Sequence, residues 1–302
     1  MPERVLAVVG PTATGKTDLS LEVAGSLDAE IVSIDSTLIY RGMDIGTDKP
    51  TPEQQACVPH HLVDVVDPNE TVTVAQFQRW ARVAIDGILS RGKTPLLAGG
   101  SGLYFRAVVD PLEFPRTDPD VRARFSETDQ SAESLHKQLA AMDPEAAASI
   151  EPANVRRTIR ALEVITITGR KFSSYRTSWD RYESIYDLEV VGLDLPRDEL
   201  DARIEQRVDR HLAEGLLDEV ESLVRRGVKS SATSVQALGY AQLIAYLDGQ
   251  ISMEDARRLI INRTRRFARR QWSWFRADPR VRWFLSDQSG AASHLMGDRV
   301  GL

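Results

Sequence analysis

The sequence predicts an α/β protein: a P-loop-containing parallel sheet flanked by helices, with a small all-helical domain inserted into it. Three observations carry that expectation. The stretch GPTATGKT at 10–17 has the spacing Gly-x4-Gly-Lys-Thr and stands between an apolar run at 4–9 and a helical pattern at 18–27. Apolar runs at 30–34, 62–66, 94–98, 188–195 and 281–285 read as strands, and the first three alternate with helical patterns such as 74–89. Between 116 and 182 the strand signal stops, and 118–125, 132–142, 144–150 and 153–168 all read as helices with Pro and Gly at the joints. The expected division is a core of 1–115 and 182–302, ending in an arginine-rich helix, with a helical domain of 116–181 inserted.

The first strand, loop and helix fix the chemistry. A helix N-terminus after the loop aims free N–H groups and the positive end of its dipole at an anion. Gly10, Pro11, Thr12, Ala13, Thr14, Gly15, Lys16 and Thr17 therefore form a phosphate site, with Lys16 reaching a terminal phosphate and the Thr17 hydroxyl on Mg²⁺. By motif alone the usual guest of such a loop is ATP or GTP.

Strand carboxyl ends are where such sheets bind ligands. Asp35 stands at the second, with Ser33, Ser36 and Thr37 around it; it reads equally as a helix cap or Mg²⁺ helper and as a general base. Gly99, Gly100, Ser101 and Gly102 stand at another, either as a second phosphate cradle or as a plain tight turn. His60 and His61 are adjacent, share no face and have no carboxylate at ligand spacing, so a metal pair is not expected there.

Composition is that of a soluble globular chain: 302 residues, 27% charged and 42% hydrophobic. No apolar run is long enough to span a membrane and no signal-peptide pattern is present, so a cytoplasmic protein is expected, acting as a monomer. The single cysteine, Cys57, excludes an intramolecular disulfide and a multi-cysteine zinc site. The net charge of −6 is uneven: 255–282 holds ten arginines against two acids, a net of +8, which leaves −14 elsewhere. Arginine suits phosphate forks and base stacking, and aromatics interleave in RRQWSWFR at 269–276. The helical spacing assigns Ile260, Phe267 and Trp274 to the core and Arg258, Arg265, Arg269 and Arg276 to a face offered to nucleic acid. The plainer alternative is a solvated helix whose arginines pair with carboxylates.

The chain as a whole resembles the tRNA dimethylallyltransferases, also called tRNA isopentenyltransferases, of bacterial type. The matching segments are GPTATGKT at 10–17, SIDSTLIYRGMDIGTDKP at 33–50, VPHHLVDVVDP at 58–68, LLAGGSGLY at 96–104, NVRRTIRALEV at 154–164, LGY at 238–240 and RRFARRQWSWFR at 265–276. The P-loop is common to many families; the second and fourth segments are far more diagnostic.

The resemblance implies a prenyltransferase that moves a dimethylallyl group from its diphosphate to the exocyclic amine of the adenosine just 3′ of the anticodon. The P-loop would then hold a prenyl diphosphate, with Mg²⁺ as cofactor and the tRNA anticodon stem-loop as partner. It further implies diphosphate contacts from Arg207, a catalytic base in Asp35, and catalytic roles for Thr17, Ser101 and Arg122. It implies tRNA contacts at Asp35, Ser36, Thr37, Leu38, Arg156, Arg157, Thr158, Ile159, Arg160, Gly239 and Tyr240, to which Arg269, Arg270 and Gln271 are added here. Leu38 stands where some relatives carry a glutamine that reads the adenine edge. Two rivals exist. A small-molecule P-loop kinase would use the loop and Asp35 but leave the arginine helix idle. A non-catalytic RNA-binding switch would not need Asp35.

Overall fold

Unbroken apolar runs suit strands covered on both faces. The computed structural model describes residues 4–127, 130–175, 179, 181–228, 233–285 and 288–297. Six strands, β1 (Arg4–Val9), β2 (Ala29–Ser33), β3 (His60–His61), β4 (Thr94–Gly99), β5 (Asp187–Asp194) and β6 (Val281–Leu285), form one sheet of order β3-β2-β4-β1-β5-β6. Every pairing is parallel. The register sets Val9 opposite both Gly99 and Gly192, and Ser33 opposite Ala98, so the carboxyl ends of β1, β2, β4 and β5 lie nearly level.

The crossovers run through α1 (Lys16–Leu27), α2 (Pro52–Cys57), α3 (Val74–Ser90) and α4 (Gly102–Val109). After β5 come α9 (Arg197–Ala213), α10 (Leu216–Arg225), α11 (Tyr240–Leu247) and α12 (Met253–Arg276), and α13 (Gln288–Met296) follows β6. Leu19 and Val23 of α1 pack with Ala291 and Leu295 of α13 in one core. Phe77 and Ile85 of α3, Val220 of α10 and Ile260 and Phe275 of α12 belong to the other, larger one.

Two expectations need correction. The run at 62–66 is not a strand: Leu62 (φ 63°) and Asp64 (φ 55°) are left-handed, which a pleated strand cannot contain. The chain turns there instead, with Asp64 N–H on Leu38 O, Val65 N–H on Ile39 O and a single bridge between Tyr40 and Val66. The buried face of α12 is also displaced. It runs through Ile260, Thr264, Ala268, Gln271 and Phe275, whereas Trp274 is 44% exposed. A seven-residue step falls about 20° short of two full turns, so the 260–267–274 series slides off the buried face, with Phe267 part-buried and Trp274 exposed four turns on.

The second unit is Pro111–Glu183. It contains α5 (Pro119–Ser126), α6 (Ala132–Met142), α7 (Pro144–Ser149) and α8 (Val155–Thr168). Each helix opens on a side-chain cap, from Asp118, Ser131, Asp143 and Asn154 in turn. Leu135, Leu139, Ala146, Ile159 and Leu162 form its core. Glu163, fully buried, accepts from the Asp118 N–H and from Arg122 and Arg160. These contacts hold its carboxyl below the usual range against the opposing push of burial.

Candidate active site

The P-loop turns on three left-handed residues, Gly10 (φ 137°), Ala13 (φ 66°) and Gly15 (φ 89°), and runs straight into α1. Gly10 is irreplaceable on space alone: a Cβ there would meet Leu193 O at 2.4 Å. The first-turn amides of α1, the dipole and the exposed Thr17 hydroxyl converge at the loop's mouth. Lys16 Nζ donates to Pro11 O at 2.5 Å. Burial, reinforced by nearby Arg207 and opposed by Asp35 and Asp48, lowers the Lys16 ammonium from 10.5 to about 8.

Arg207 reaches the loop from α9. Its Nη1 donates to Thr12 Oγ1 at 2.6 Å, while its Nε pairs with Asp48 Oδ2 at 3.0 Å. Asp48 also accepts from Arg210 at 2.9 Å and from His211 Nε2 at 2.6 Å. Burial presses its carboxyl upward, but the His211 hydrogen bond and the charges of Arg207, His211 and Arg210 prevail and hold it at about 2. Burial likewise works against the charge on Arg207 and prevails, with Asp48 and Asp35 opposing it.

Asp35 lies two residues beyond the end of β2. Its Oδ1 accepts from the Thr37 N–H at 2.8 Å and from Thr37 Oγ1 at 2.7 Å, which holds the carboxylate half-buried beside the loop. Ser101 occupies the N-cap position of α4 without a capping bond. The glycines around it make room for neighbours. A Cβ on Gly99 would lie 3.1 Å from the Asp35 nitrogen, one on Gly100 would lie 2.0 Å from Gln271 Nε2, and one on Gly102 would lie 3.0 Å from Trp274 Cβ. Close packing against β2 and α12 therefore requires glycine at these positions.

The expected tRNA-contacting residues divide. Ser36, Thr37 and Leu38 are partly exposed beside Asp35, and Arg156 and Arg157 are exposed on α8. Thr158 and Ile159, by contrast, are buried in the helical unit, and Arg160 is spent on Glu163 and on the Pro115 and Arg116 carbonyls. Arg122 lies in that unit too, on Glu163. Tyr240 is fully buried and donates to Glu219 Oε1, and Gly239 turns at φ 99° with its N–H on Gln242. Gln271 is buried as well. The side chains of Thr158, Ile159, Tyr240 and Gln271 are thus turned away from solvent.

On α12 both readings of the arginines apply, to different residues. Arg257 pairs with Glu205 and Asp209, Arg258 with Asp255, and Arg265 with Asp201 and Glu205. Arg276 lies between the Trp272 and Trp283 rings and near Asp194. Arg263, Arg266, Arg269 and Arg270 are exposed and have no carboxylate partner among the described residues.

Sequence reading missed three residues. Asp48 and His211 brace Arg207, and Glu219 accepts the amides of Asp44, Ile45 and Gly46 together with the Tyr240 hydroxyl. The one available signal was that His211 follows Arg207 by four positions and so shares its helix face.

Comparison with known proteins decides the family. Residues 38–278 match the family described as IPP transferase, and residues 3–63 match that described as isopentenyl transferase. A tRNA dimethylallyltransferase of Streptomyces avermitilis is 51% identical over 97% of this chain and 92% of its own length. This chain belongs to the tRNA dimethylallyltransferase family. The crystal structure of a tRNA isopentenylpyrophosphate transferase from Bacillus halodurans is 41% identical, with a TM-score of 0.72 over 97% of this chain and 94% of that one. A eukaryotic dimethylallyltransferase described as acting on tRNA is similar in fold, with a TM-score of 0.80 at 23% identity over 96% of this chain and 76% of that one. The P-loop and Asp35 follow the carboxyl ends of β1 and β2, Arg207 reaches the loop from α9, and no described helix is long and apolar enough to cross a membrane.

Proposed function

We propose that this chain transfers the dimethylallyl group of dimethylallyl diphosphate to the exocyclic N6 of the adenosine immediately 3′ of the anticodon in tRNA, releasing diphosphate. The observation that carries this reading is the meeting, at one set of strand ends, of an anion site (Lys16, Arg207 and the first turn of α1) with the restrained carboxylate of Asp35.

In the reaction, N6 bonds to the allylic carbon C1 as the C1–O bond breaks. The bonding pair leaves on the diphosphate, and the N6 proton passes to Asp35. Conjugation with the ring makes this amine a poor nucleophile, so the step depends on stabilising the leaving group and accepting the proton. Lys16, Arg207 and the loop amides oppose the charge growing on the diphosphate. Ser101, at the end of β4, offers a hydroxyl to the reacting groups. Arg122 keeps the role that the resemblance implies, with its guanidinium oriented by Glu163.

The donor set fits Mg²⁺. Thr17 offers a hydroxyl, and no group of three or more His, Cys, Asp or Glu that could hold a metal ion exists among the described residues. The other ligands would be diphosphate oxygens and water, as this ion prefers. When bound, it supplies further neutralisation of the leaving group.

For the RNA, Arg263, Arg266, Arg269 and Arg270 contact phosphates, Arg156 and Arg157 do the same from the helical unit, and the 35–38 segment meets the target adenosine. Extruding that base costs a few kcal/mol, least in a loop. The test is mass spectrometry of tRNA after incubation with dimethylallyl diphosphate. A gain of one five-carbon unit per tRNA is expected; phosphoryl transfer from ATP with no such gain would replace this reading.

A further inference from the structure

Thr12 is a junction between two helices that are far apart in sequence. Arg207 of α9 takes its hydroxyl, and Gln271 of α12 takes its backbone N–H, with Oε1 at 2.9 Å. Gln271 is 5% exposed, the only buried polar side chain on α12 besides Thr264. Thr264 spends its hydroxyl on its own helix, at Ile260 O. Gln271 alone of the two leaves the helix to bond another element. A second, independent feature points the same way: position 100 is glycine, and any Cβ there would lie 2.0 Å from Gln271 Nε2 and 3.0 Å from its Cδ. The β4–α4 turn is shaped to admit this amide.

We infer that Gln271 is a positioning residue for the anion loop and couples it to the arginine helix. Its carbonyl fixes the Thr12 amide, and with it the loop conformation that presents the first-turn amides of α1. Arg269 and Arg270, exposed and without a carboxylate partner among the described residues, immediately precede it on α12. RNA phosphates that order this part of α12 hold Gln271 against Thr12 and prepay part of the ordering of the loop. By reciprocity, an occupied loop holds α12 in its RNA-binding position. The inference rests on reading the loop as a diphosphate site, and the probe is chosen to separate the two.

The measurement is the affinity of inorganic pyrophosphate with Mg²⁺, by calorimetry, with and without an anticodon stem-loop RNA. The proteins are the full-length wild type, Gln271→Met, Gly100→Ala and the double variant. Wild-type protein that does not bind pyrophosphate would remove the diphosphate reading itself. Given binding, Gln271→Met, which keeps the length but loses the acceptor, weakens pyrophosphate by about three- to ten-fold, the range of one hydrogen bond. Affinity for the RNA alone stays within about two-fold.

Gly100→Ala gives the same loss by displacing the amide, and adds little in the Gln271→Met background because both changes break one contact. RNA strengthens pyrophosphate binding to the wild type about five-fold or more, a typical coupling, and this factor falls toward one in Gln271→Met. Unchanged pyrophosphate affinity in Gln271→Met, fully additive losses, or equal coupling in wild type and variant would each overturn the inference. Should Gln271→Met fail to fold, Gly100→Ala, which keeps the glutamine but displaces its amide, carries the test: unchanged pyrophosphate affinity in that variant would overturn the inference.

Discussion

In the proposed function the strand ends around the P-loop and the long helix α12 both use arginines toward anions, yet they are built on opposite plans. At the strand ends each charged group is restrained by others: Arg207 by Asp48 and Thr12, Asp48 by His211 and Arg210, and Asp35 by Thr37. On α12, Arg263, Arg266, Arg269 and Arg270 lie open to solvent, while Arg257 and Arg265 are tied to the acids of α9. Restraint suits chemistry, where a misplaced group costs orders of magnitude. Open cations suit a polyanion whose affinity is the sum of many small terms. The difference between the two regions is therefore one of effect size per residue.

The largest effect is expected at Asp35. Asp35→Ala should lower single-turnover transfer by ~10²–10⁴-fold, as loss of a general base does, while tRNA affinity moves only a few-fold. A variant that kept a tenth of the wild-type rate at saturating substrates would deny Asp35 that role.

Next come Lys16→Ala and Arg207→Ala. Each should reduce kcat/KM for dimethylallyl diphosphate by roughly 10²–10³-fold, the scale of removing one preorganised charge donor. ATP should neither support reaction nor compete in the wild type. Displacement of the prenyl substrate by ATP at equal concentration would reopen the kinase alternative.

A smaller effect should appear against pH. Lys16 loses its proton near pH 8 in the free protein rather than near 10.5, so the cation is present below that value and lost above it. A bound anion favours the charged form, so pyrophosphate affinity should fall above about pH 8, by up to about ten-fold per unit. Calorimetry from pH 7 to 10 checks this, with Lys16→Arg as the control that should flatten the profile. A wild-type profile flat to pH 10 would remove Lys16 from the anion site.

The smallest single-residue effects belong to α12. Log affinity for tRNA should fall linearly with log salt, and Arg269→Ala or Arg270→Ala should each reduce the slope by up to about one unit. Arg257→Ala should leave the slope unchanged, because that guanidinium already has carboxylates. Equal slopes for all three variants would abolish the distinction between the open and tied arginines.

What the sequence disclosed follows from which information is local. β1, β2, β4, β5 and β6 and the four inserted helices could be read from apolar period and caps, because those signals lie within a few residues of each other. The run at 62–66 misled because its composition is strand-like while Leu62 and Asp64 take left-handed backbone, which no apolar pattern reports. The wrong face of α12 came from a seven-residue step applied to a straight helix. Within the site, Lys16, Thr17 and Asp35 stood in recognisable local contexts. Asp48, His211, Glu219 and the packing of Gln271 owe their roles to partners more than a hundred residues distant, which only folding brings together. For the same reason Thr158, Ile159 and Tyr240 were expected at the RNA and lie in cores.

The chain leaves the sheet unit at Asp110 and returns at Ser184, and the Ile185 N–H bonds Val109 O at 2.8 Å. Departure and return are thus stitched together within the sheet unit itself. The entropy of closing the intervening excursion grows only logarithmically with its length, by about 0.6 kcal/mol per doubling. Such a doorway makes the size of whatever hangs from it a nearly free variable. Lengthening or exchanging the insert therefore asks nothing of the strand register that levels the carboxyl ends of β1, β2, β4 and β5.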